Sequence, residues 1–169
     1  MKVMKKPIIL LNGPSSSGKT TLARTLQKLI EEKRDEKYAV VSIDDFMKLS
    51  TEETIYEDDV FEIAGDMCEW ALGVLKTSPG VIIDHVITSE RIFHQLTEML
   101  QAYMIHTVKV TCPLSVLQER ECARKNRCPG SAEASYIYLY PKDGYDLTVD
   151  TSVMTPEECA MRIYKQLLS

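Results

Sequence analysis

Short apolar stretches alternate along the chain with segments that have helical periodicity. The apolar stretches predict five strands, over Pro7–Asn12, Tyr38–Ile43, Val81–Val86, His106–Cys112 and Asp146–Val149. Most of them lack the alternation of apolar and polar positions that marks a strand with one solvated face. They are therefore typical of parallel strands that helices cover on both faces.

The segments between the strands predict helices with one apolar face. Apolar residues recur with a 3.6-residue period after the first strand and after the third, at Leu22, Leu26, Leu29 and Ile30 and at Ile92, Leu96, Met99, Leu100 and Tyr103. The last helix begins at Thr155-Pro156-Glu157-Glu158, which combines a capping box with proline at the first helical position.

Alternating strands and helices predict an α/β fold in which a parallel sheet lies between two layers of helices. No repeat, low-complexity tract or flexible linker divides the sequence, so residues 1–169 are expected to form one domain. In such a fold, ligands bind beyond the carboxyl ends of the strands.

Composition narrows the classes of partner. The 169 residues are 44% hydrophobic, enough for a sizeable core, and the net charge of -5 argues against a nucleic-acid or polybasic membrane partner. The five cysteines are scattered without a metal-binding spacing, which favours reduced, mostly buried thiols in a cytoplasmic protein. The apolar run near Ile8–Leu11 is too short for a signal peptide or a membrane span.

The first strand runs into a phosphate-binding pattern. Residues 13–20 match G-x-x-x-x-G-K-[ST], directly before an amphipathic helix, so backbone N–H groups and the helix N-terminus converge on one anion. The predicted nucleotide-binding residues are Gly13, Pro14, Ser15, Ser16, Ser17, Gly18, Lys19, Thr20 and Thr21. Lys19 is expected to reach the β and γ phosphates of a nucleoside triphosphate, and Thr20 to ligate Mg²⁺. The alternative is a serine- and glycine-rich turn with a capping hydroxyl.

An acid at the end of the third strand supplies the second group expected on the metal side. Asp84 follows Val81-Ile82-Ile83 and is predicted to hold the hydration shell of Mg²⁺. The alternative is that Asp84 ends the strand and caps the helix that starts near Ser89. His85, the next residue, is expected to pack in the interior rather than to face the site.

Two acids follow the second strand, in Val40-Val41-Ser42-Ile43-Asp44-Asp45. If this strand flanks the phosphate loop, one of the acids lies close to the γ phosphate. A carboxylate there favours an alcohol as phosphate acceptor, because an attacking hydroxyl must lose its proton. Asp44 comes directly off the strand and is the predicted base, although Asp45 stays open, as does a capping role for either.

Arg120, Arg124 and Arg127 are spaced i, i+4, i+7. On one helix they would form a stripe of cations, and Cys128-Pro129-Gly130 would then act as a hinge. The pattern predicts a lid over residues 120–135 that closes on the phosphates, with a solvated helix face as the alternative. The acidic stretch from Glu52 to Glu62 reads as a solvated helix start, or as a surface that attracts a cationic acceptor.

Several of these segments together resemble the chloramphenicol phosphotransferase-like family of P-loop kinases. The similar segments are IILLNGPSSSGKTTLAR, VSIDDFM, VIIDHVI, ERECARKNRCPGSA and YDLTVDTSVMTPEECAMRI, in order over nearly the whole chain. The resemblance implies a nucleoside-monophosphate-kinase type of fold, with a five-stranded parallel sheet of order 2-3-1-4-5, and ATP-dependent phosphorylation of an alcohol.

The same resemblance implies roles for individual residues. It places the catalytic aspartate at Asp44, the nucleotide lysine at Lys19 and the lid arginines at Arg120, Arg124 and Arg127. It weakens between Lys48 and Met67, where this sequence is acidic. The leading hypothesis is a small-molecule kinase for a hydroxyl acceptor. The alternatives are a nucleotide or nucleoside kinase and a nucleotide-dependent switch with slow hydrolysis, although the guanine motif Asn-Lys-x-Asp is absent from the sequence.

Overall fold

The computed structural model describes residues 5–48, 56–124 and 130–169. Its five strands are β1 (Pro7–Asn12), β2 (Ala39–Ser42), β3 (Val81–His85), β4 (Met104–Thr111) and β5 (Leu147–Asp150). They form one parallel sheet of order β2-β3-β1-β4-β5, which confirms the predicted fold class and strand order.

The described helices are α1 (Lys19–Arg34), α2 (Ile43–Met47), α3 (Glu57–Val74), α4 (Glu90–Met99), α5 (Leu114–Ala123), α6 (Ser131–Tyr138) and α7 (Pro156–Ile163). A π-helical turn over Tyr164–Leu168 follows α7. The helical periodicity predicted after β3 extends beyond the helix itself. Helix α4 ends at Met99, and Tyr103 lies in the turn that follows.

Both faces of the sheet are buried, and successive β1 residues point to opposite layers. Ile9 and Leu11 pack with apolar residues of α1 and α7, whereas Ile8 and Leu10 pack with those of α3 and α4. This double burial is why the strands read as nearly continuous apolar runs, since neither face meets water.

The confirmed strand order also shows that β2 does not flank the strand that leads into the phosphate loop. The neighbours of β1 are β3 and β4, and β2 is an edge strand that pairs with β3. The acids that follow β2 are therefore one strand removed from the strand that leads into the phosphate loop. Helix α2 begins directly after β2, so its first turn determines which of these acids reaches the loop.

The start of α7 is confirmed in atomic detail. The hydroxyl of Thr155 accepts the backbone N–H of Glu158 at 3.1 Å, and the Glu158 carboxylate accepts the backbone N–H of Thr155 at 3.3 Å. Pro156 occupies the first helical position, where no backbone donor is needed. This capping box fixes where α7 packs against α1 and β5.

We predict that Thr155→Ala lowers the free energy of unfolding by about 1 kcal/mol, because it removes the hydroxyl that caps α7. Urea denaturation followed by circular dichroism measures the change. Thr25→Ala is the matched control, since among the described residues the Thr25 hydroxyl bonds to the Thr21 carbonyl of its own helix. An equal loss in both variants would contradict the capping role.

Candidate active site

The phosphate loop joins β1 to α1, and its backbone geometry requires glycine at positions 13 and 18. A Cβ on Gly13 would lie 2.2 Å from the Val110 carbonyl oxygen of β4, far inside contact distance. Gly18 has φ +90°, in the left-handed region that side chains disfavour. The loop is thus pressed against the sheet at one end and turned sharply into α1 at the other.

The interior of this loop presents polar groups suited to an anion. The Ser15 and Ser16 hydroxyls are buried and have no hydrogen-bond partner among the described residues. The Lys19 ammonium is also buried, and it donates to the Pro14 carbonyl at 2.9 Å and to the Ser17 hydroxyl at 3.4 Å. Unsatisfied buried hydroxyls beside a cation at a helix N-terminus fit the phosphates of a nucleotide.

A buried carboxylate lies beside the loop. Asp84 Oδ2 accepts the Thr20 hydroxyl at 2.8 Å and the Ser42 hydroxyl at 3.2 Å. A hydroxyl and a carboxylate at this distance fit Mg²⁺, which takes few protein ligands and retains water and phosphate oxygens. The capping alternative for Asp84 is wrong, because the Ser89 hydroxyl accepts the Ile92 N–H and caps α4.

Seven residues proposed from the sequence line one cleft, together with Val86. They are Ser15, Ser16, Gly18, Lys19, Thr20, Asp44 and Arg124. Asp44 is half-buried in the first turn of α2, whereas Asp45 is exposed and is not among the residues that line the cleft. Neither acid is the N-cap of α2, a position that Ser42 occupies. The structure therefore brings Asp44 to the phosphate loop even though β2 is an edge strand.

The predicted arginine stripe does not form as one helical face. Helix α5 ends at Ala123, and Arg124 has the extended backbone of a C-cap residue with φ -98° and ψ 109°. Arg124 nevertheless reaches the cleft. Arg127 lies outside the described residues, so its role and the lid over residues 120–135 stay predictions.

The Arg120 guanidinium bonds to the backbone of the phosphate loop and to the backbone of the segment that follows β5. Its guanidinium donates to the Ser16 carbonyl at 3.3 Å and to the hydroxyl and carbonyl of Thr151, each at 3.0 Å. The Thr151 hydroxyl in turn donates to the Ser17 carbonyl at 2.6 Å. Arg120 thus holds the phosphate loop against the segment that follows β5.

A cavity of about 380 Å³ lies beside the Arg120 side chain. Its walls are Ser16, Gly18, Thr21, Leu22, Arg120, Ala123, Arg124, Thr151, Met154 and Pro156. Apolar side chains and two guanidinium groups provide surfaces on which a planar base can stack. The predicted nucleotide residue Thr21 contributes to this wall.

A second cavity has a volume of about 520 Å³. Its walls come from α3, the loop after β3, α4 and α6, through Glu57, Val60, Thr88, Ser89, Ile92, Ser131, Ala134, Ser135 and Tyr138. The backbone N–H of Ser15 donates to the Ser135 hydroxyl at 2.9 Å. This bond places the second cavity directly beside the cleft that Asp44 lines.

Sequence reasoning missed three residues that hold these surfaces together. Asn12 is fully buried at the end of β1, and its amide bonds to the Tyr140 carbonyl, the Tyr145 hydroxyl and the Ile87 N–H, each at 2.9 Å. A polar amide at the end of an apolar strand is a signal that was available in the sequence. Thr151 follows β5 and shows the same strand-end signal, whereas nothing in the local sequence marks Ser135.

His85 is packed in the interior, as the sequence favoured. Its side chain is fully buried, and neither ring nitrogen has a hydrogen-bond partner among the described residues. Burial, and after it the positive charge of Lys19, lower the pKa of His85 to about 3, against smaller opposing effects that include Asp44. The imidazole is therefore neutral at physiological pH and adds no second cation beside Lys19.

The four described cysteines are free, and three of them (Cys68, Cys112 and Cys159) are buried. Burial raises the pKa of Cys68 to about 12, so its thiol stays protonated. In the ranges that the structure describes, no helix has the length and apolar character needed to cross a membrane.

Comparison with known proteins decides the family. The model of the chloramphenicol phosphotransferase-like proteins matches residues 6–168. The chain belongs to this family. The match confirms the resemblance found in the sequence and covers both cavities and the phosphate loop. Among curated proteins, none matches the chain.

Three solved kinases have the same fold. The APS kinase of Mycobacterium tuberculosis aligns with a TM-score of 0.77 at 16% identity, over 99% of this chain and 100% of that chain. Shikimate kinase from Acinetobacter baumannii gives 0.67 at 19% identity, over 96% and 93%. A gluconokinase from Sinorhizobium meliloti 1021 gives 0.66 at 16% identity, over 98% and 97%. At these identities the likeness establishes the P-loop kinase fold, and with the family it supports a nucleotide-binding small-molecule kinase.

The buried imidazole predicts an acid-sensitive contribution to stability. The pKa of His85 is about 3 in the folded protein and about 6.5 when unfolded. Above pH 6.5 the imidazole is neutral in both states, so protonation of His85 does not reduce the free energy of unfolding. As the pH falls from 6.5 toward 3, the unfolded state gains a proton that the folded state does not bind. We expect this one group to lower the free energy of unfolding by up to about 1.4 kcal/mol per pH unit.

His85→Phe removes the titrating group and keeps a ring in the same space. Urea denaturation at several pH values between 7.5 and 4.5 should show a shallower loss of stability in the variant than in the parent. Exposed titratable groups are the same in both proteins and cancel in the comparison. Parallel pH profiles would show that His85 is not held neutral by burial.

Proposed function

We propose that the protein transfers the γ-phosphoryl group of ATP to a hydroxyl group of a small molecule. The observation that carries this proposal is the position of Asp44. Its carboxylate lines the same cleft as Lys19, Thr20 and Arg124, and the Ser15–Ser135 hydrogen bond connects that cleft to a separate cavity large enough for a small molecule. A base between a phosphate site and an acceptor-sized cavity suits phosphorylation of an alcohol.

The proposed nucleotide site spans the phosphate loop and the cavity beside Arg120. Backbone N–H groups of the loop and the Lys19 ammonium would bind the β and γ phosphates. The walls formed by Leu22, Arg120 and Met154 would hold the base. Thr20 and Asp84 would hold Mg²⁺, which supplies positive charge next to the phosphate oxygens.

The proposed chemistry assigns the proton to Asp44. Asp44 accepts the proton of the acceptor hydroxyl as the oxygen of that hydroxyl bonds to the γ phosphorus of ATP. The bond between the γ phosphorus and the β–γ bridging oxygen breaks, and its electron pair leaves with ADP. Lys19 and Arg124 neutralise negative charge on the phosphoryl oxygens during transfer, and Arg127 is proposed to assist from the lid.

The second cavity favours an alcohol kinase over a nucleotide kinase and over a nucleotide-dependent switch. A nucleoside monophosphate acceptor brings a phosphate that needs cations, and no Lys, Arg or His is among the described residues that line the second cavity. A nucleotide-dependent switch needs no cavity beside the phosphate loop, and this chain has one. Both observations favour an alcohol acceptor without a phosphate.

We predict that Asp44→Asn lowers kcat for phosphoryl transfer by about 100-fold or more, because the amide cannot accept a proton. Coupled measurement of ADP formation over a panel of hydroxylated antibiotics, sugars and nucleosides identifies an acceptor and gives kcat. Asp45→Asn is the matched control, since it makes the same change at the exposed neighbour. A variant Asp44→Asn with the kcat of the parent would exclude Asp44 as the base.

We predict that Lys19→Ala abolishes measurable transfer or weakens ATP binding by about 100-fold, because a buried cation next to the phosphates is lost. Isothermal titration with ATP and Mg²⁺ measures the affinity, and circular dichroism checks that the domain stays folded. Lys28→Ala removes an equal charge elsewhere on α1 and should leave both quantities unchanged. Retention of affinity and turnover in Lys19→Ala would argue against the nucleotide site.

A further inference from the structure

The second cavity is uneven in charge. Among the described residues that line it, Glu57 is the one Asp or Glu, none is Lys, Arg or His, and the rest are apolar or carry hydroxyls. The Ser131 hydroxyl can donate to or accept from a polyhydroxylated ligand. The hydroxyls of Ser89 and Ser135 already donate within the protein, to Glu57 and to the Ser131 carbonyl, and can accept one further hydrogen bond. A carboxylate accepts hydrogen bonds only, so the charge of Glu57 favours a donor, and most strongly a cationic one.

The first turn of α3 carries three acids that differ in their partners. Asp58 forms an ion pair with Arg91 at 2.7 Å, and Asp59 accepts the backbone N–H of Tyr56 at 3.1 Å. Glu57 accepts the Ser89 hydroxyl at 3.1 Å, and no cation of the described residues lies within ion-pair distance of it. Glu57 is thus the acid of this turn that faces the cavity, and no ion pair with a described cation compensates its charge.

The position of Glu57 suits a ligand that must also reach Asp44. Ser135 lies in the wall of the same cavity, is itself 6% exposed, and bonds to Ser15 of the catalytic cleft. Ser15 also carries a buried hydroxyl without a partner in the described chain. A ligand with a hydrogen-bond donor at Glu57 and a second polar group near Ser135 would have a hydroxyl directed toward the cleft that Asp44 lines.

We propose that the phosphate acceptor is an amine-bearing alcohol, and that Glu57 selects it by binding the ammonium group. This inference rests on the proposed function for the transfer itself and adds the charge of the acceptor. The Ser89 hydroxyl orients the Glu57 carboxylate, and the N-terminus of α3 favours its negative charge. The aromatic ring of Tyr138, in the same wall, offers a second favourable surface for a cation.

The test uses acceptors in charge-matched sets. Each set has one hydroxylated skeleton, a sugar or an aryl propanediol, that carries a free amine, an acetamide or a carboxylate at the same position. Binding is measured by calorimetry on the full chain loaded with Mg²⁺ and a non-transferable ATP analogue, and transfer is measured separately as ADP formation. Binding tests the cavity, whereas transfer tests the proposed function.

We expect the amine member of a set to bind more tightly than its acetamide counterpart, and the carboxylate member to bind most weakly. Glu57→Gln should reduce the preference for amine over acetamide by about fivefold, equivalent to about 1 kcal/mol for a partly exposed ion pair. Added salt should reduce the preference in the parent but not in the variant. Glu69→Gln, the same change further along α3 and outside the cavity wall, should leave the preference intact.

A pair of volume changes on α6 tests the place of binding. Ala134→Phe puts a ring into the cavity and should abolish binding of the amine, whereas Ile137→Phe changes an exposed residue outside the cavity wall and should not. Circular dichroism shows whether both variants keep the fold.

The outcomes separate the two proposals. Amine-selective binding that depends on Glu57 but is not followed by transfer supports the cavity assignment and overturns the proposed reaction. Tightest binding of carboxylate members, a preference unchanged in Glu57→Gln, or no binding in any set overturns the inference about Glu57, whatever the rate of transfer.

Discussion

The geometry of the site depends on one buried carboxylate. Asp84 lies at the end of β3, the strand between β1 and β2, and one of its oxygens accepts hydroxyls from Thr20 and Ser42. These two bonds hold the start of α1 and the end of β2 to the same point. Asp44 is two residues beyond Ser42, so the bond that fixes β2 also fixes where the first turn of α2 begins. These bonds therefore link the edge strand to the start of α1 through side chains.

The opposite side of the phosphate loop is held by different means. Arg120 and Thr151 bind its carbonyl oxygens, and Ser135 binds its Ser15 amide. The loop is therefore fixed from β3, from α5 with the segment after β5, and from α6. Each contact uses a backbone or hydroxyl group at the edge of the loop, which leaves the buried hydroxyls of Ser15 and Ser16 and the ammonium of Lys19 directed to the anion site.

The sheet and the phosphate loop were predictable from sequence because their physical causes are local. Burial on both faces produces apolar runs, and a backbone that must approach Val110 and enter a left-handed turn requires glycine at positions 13 and 18. Asp44 was predictable from its place at a strand end. The family match confirms the resemblance that the ordered motifs suggested.

The remainder of the site depends on contacts between distant segments. Helix α5 ends before Arg124, and the Glu121 carboxylate accepts the backbone N–H groups of Gly130 and Ala132 at the start of α6. The spacing of the arginines gives no information about this contact between α5 and α6. The sequence therefore predicted that the helix would continue through Arg124 and Arg127. The junction between Ser15 and Ser135 spans 120 residues and has no local signal.

Fold alone leaves the acceptor open, as the solved kinases show. Shikimate, bound to one of them, is a carboxylate, and a carboxylate in the second cavity of this chain would meet Glu57 rather than a cation among the described residues. The two like charges would repel each other. In the proposed function, the phosphate loop and Asp44 serve the nucleotide and the transfer, whereas the walls from α3 and α6 set the charge of the acceptor. Recognition of the acceptor then depends on the helices that flank the phosphate loop and not on the loop itself.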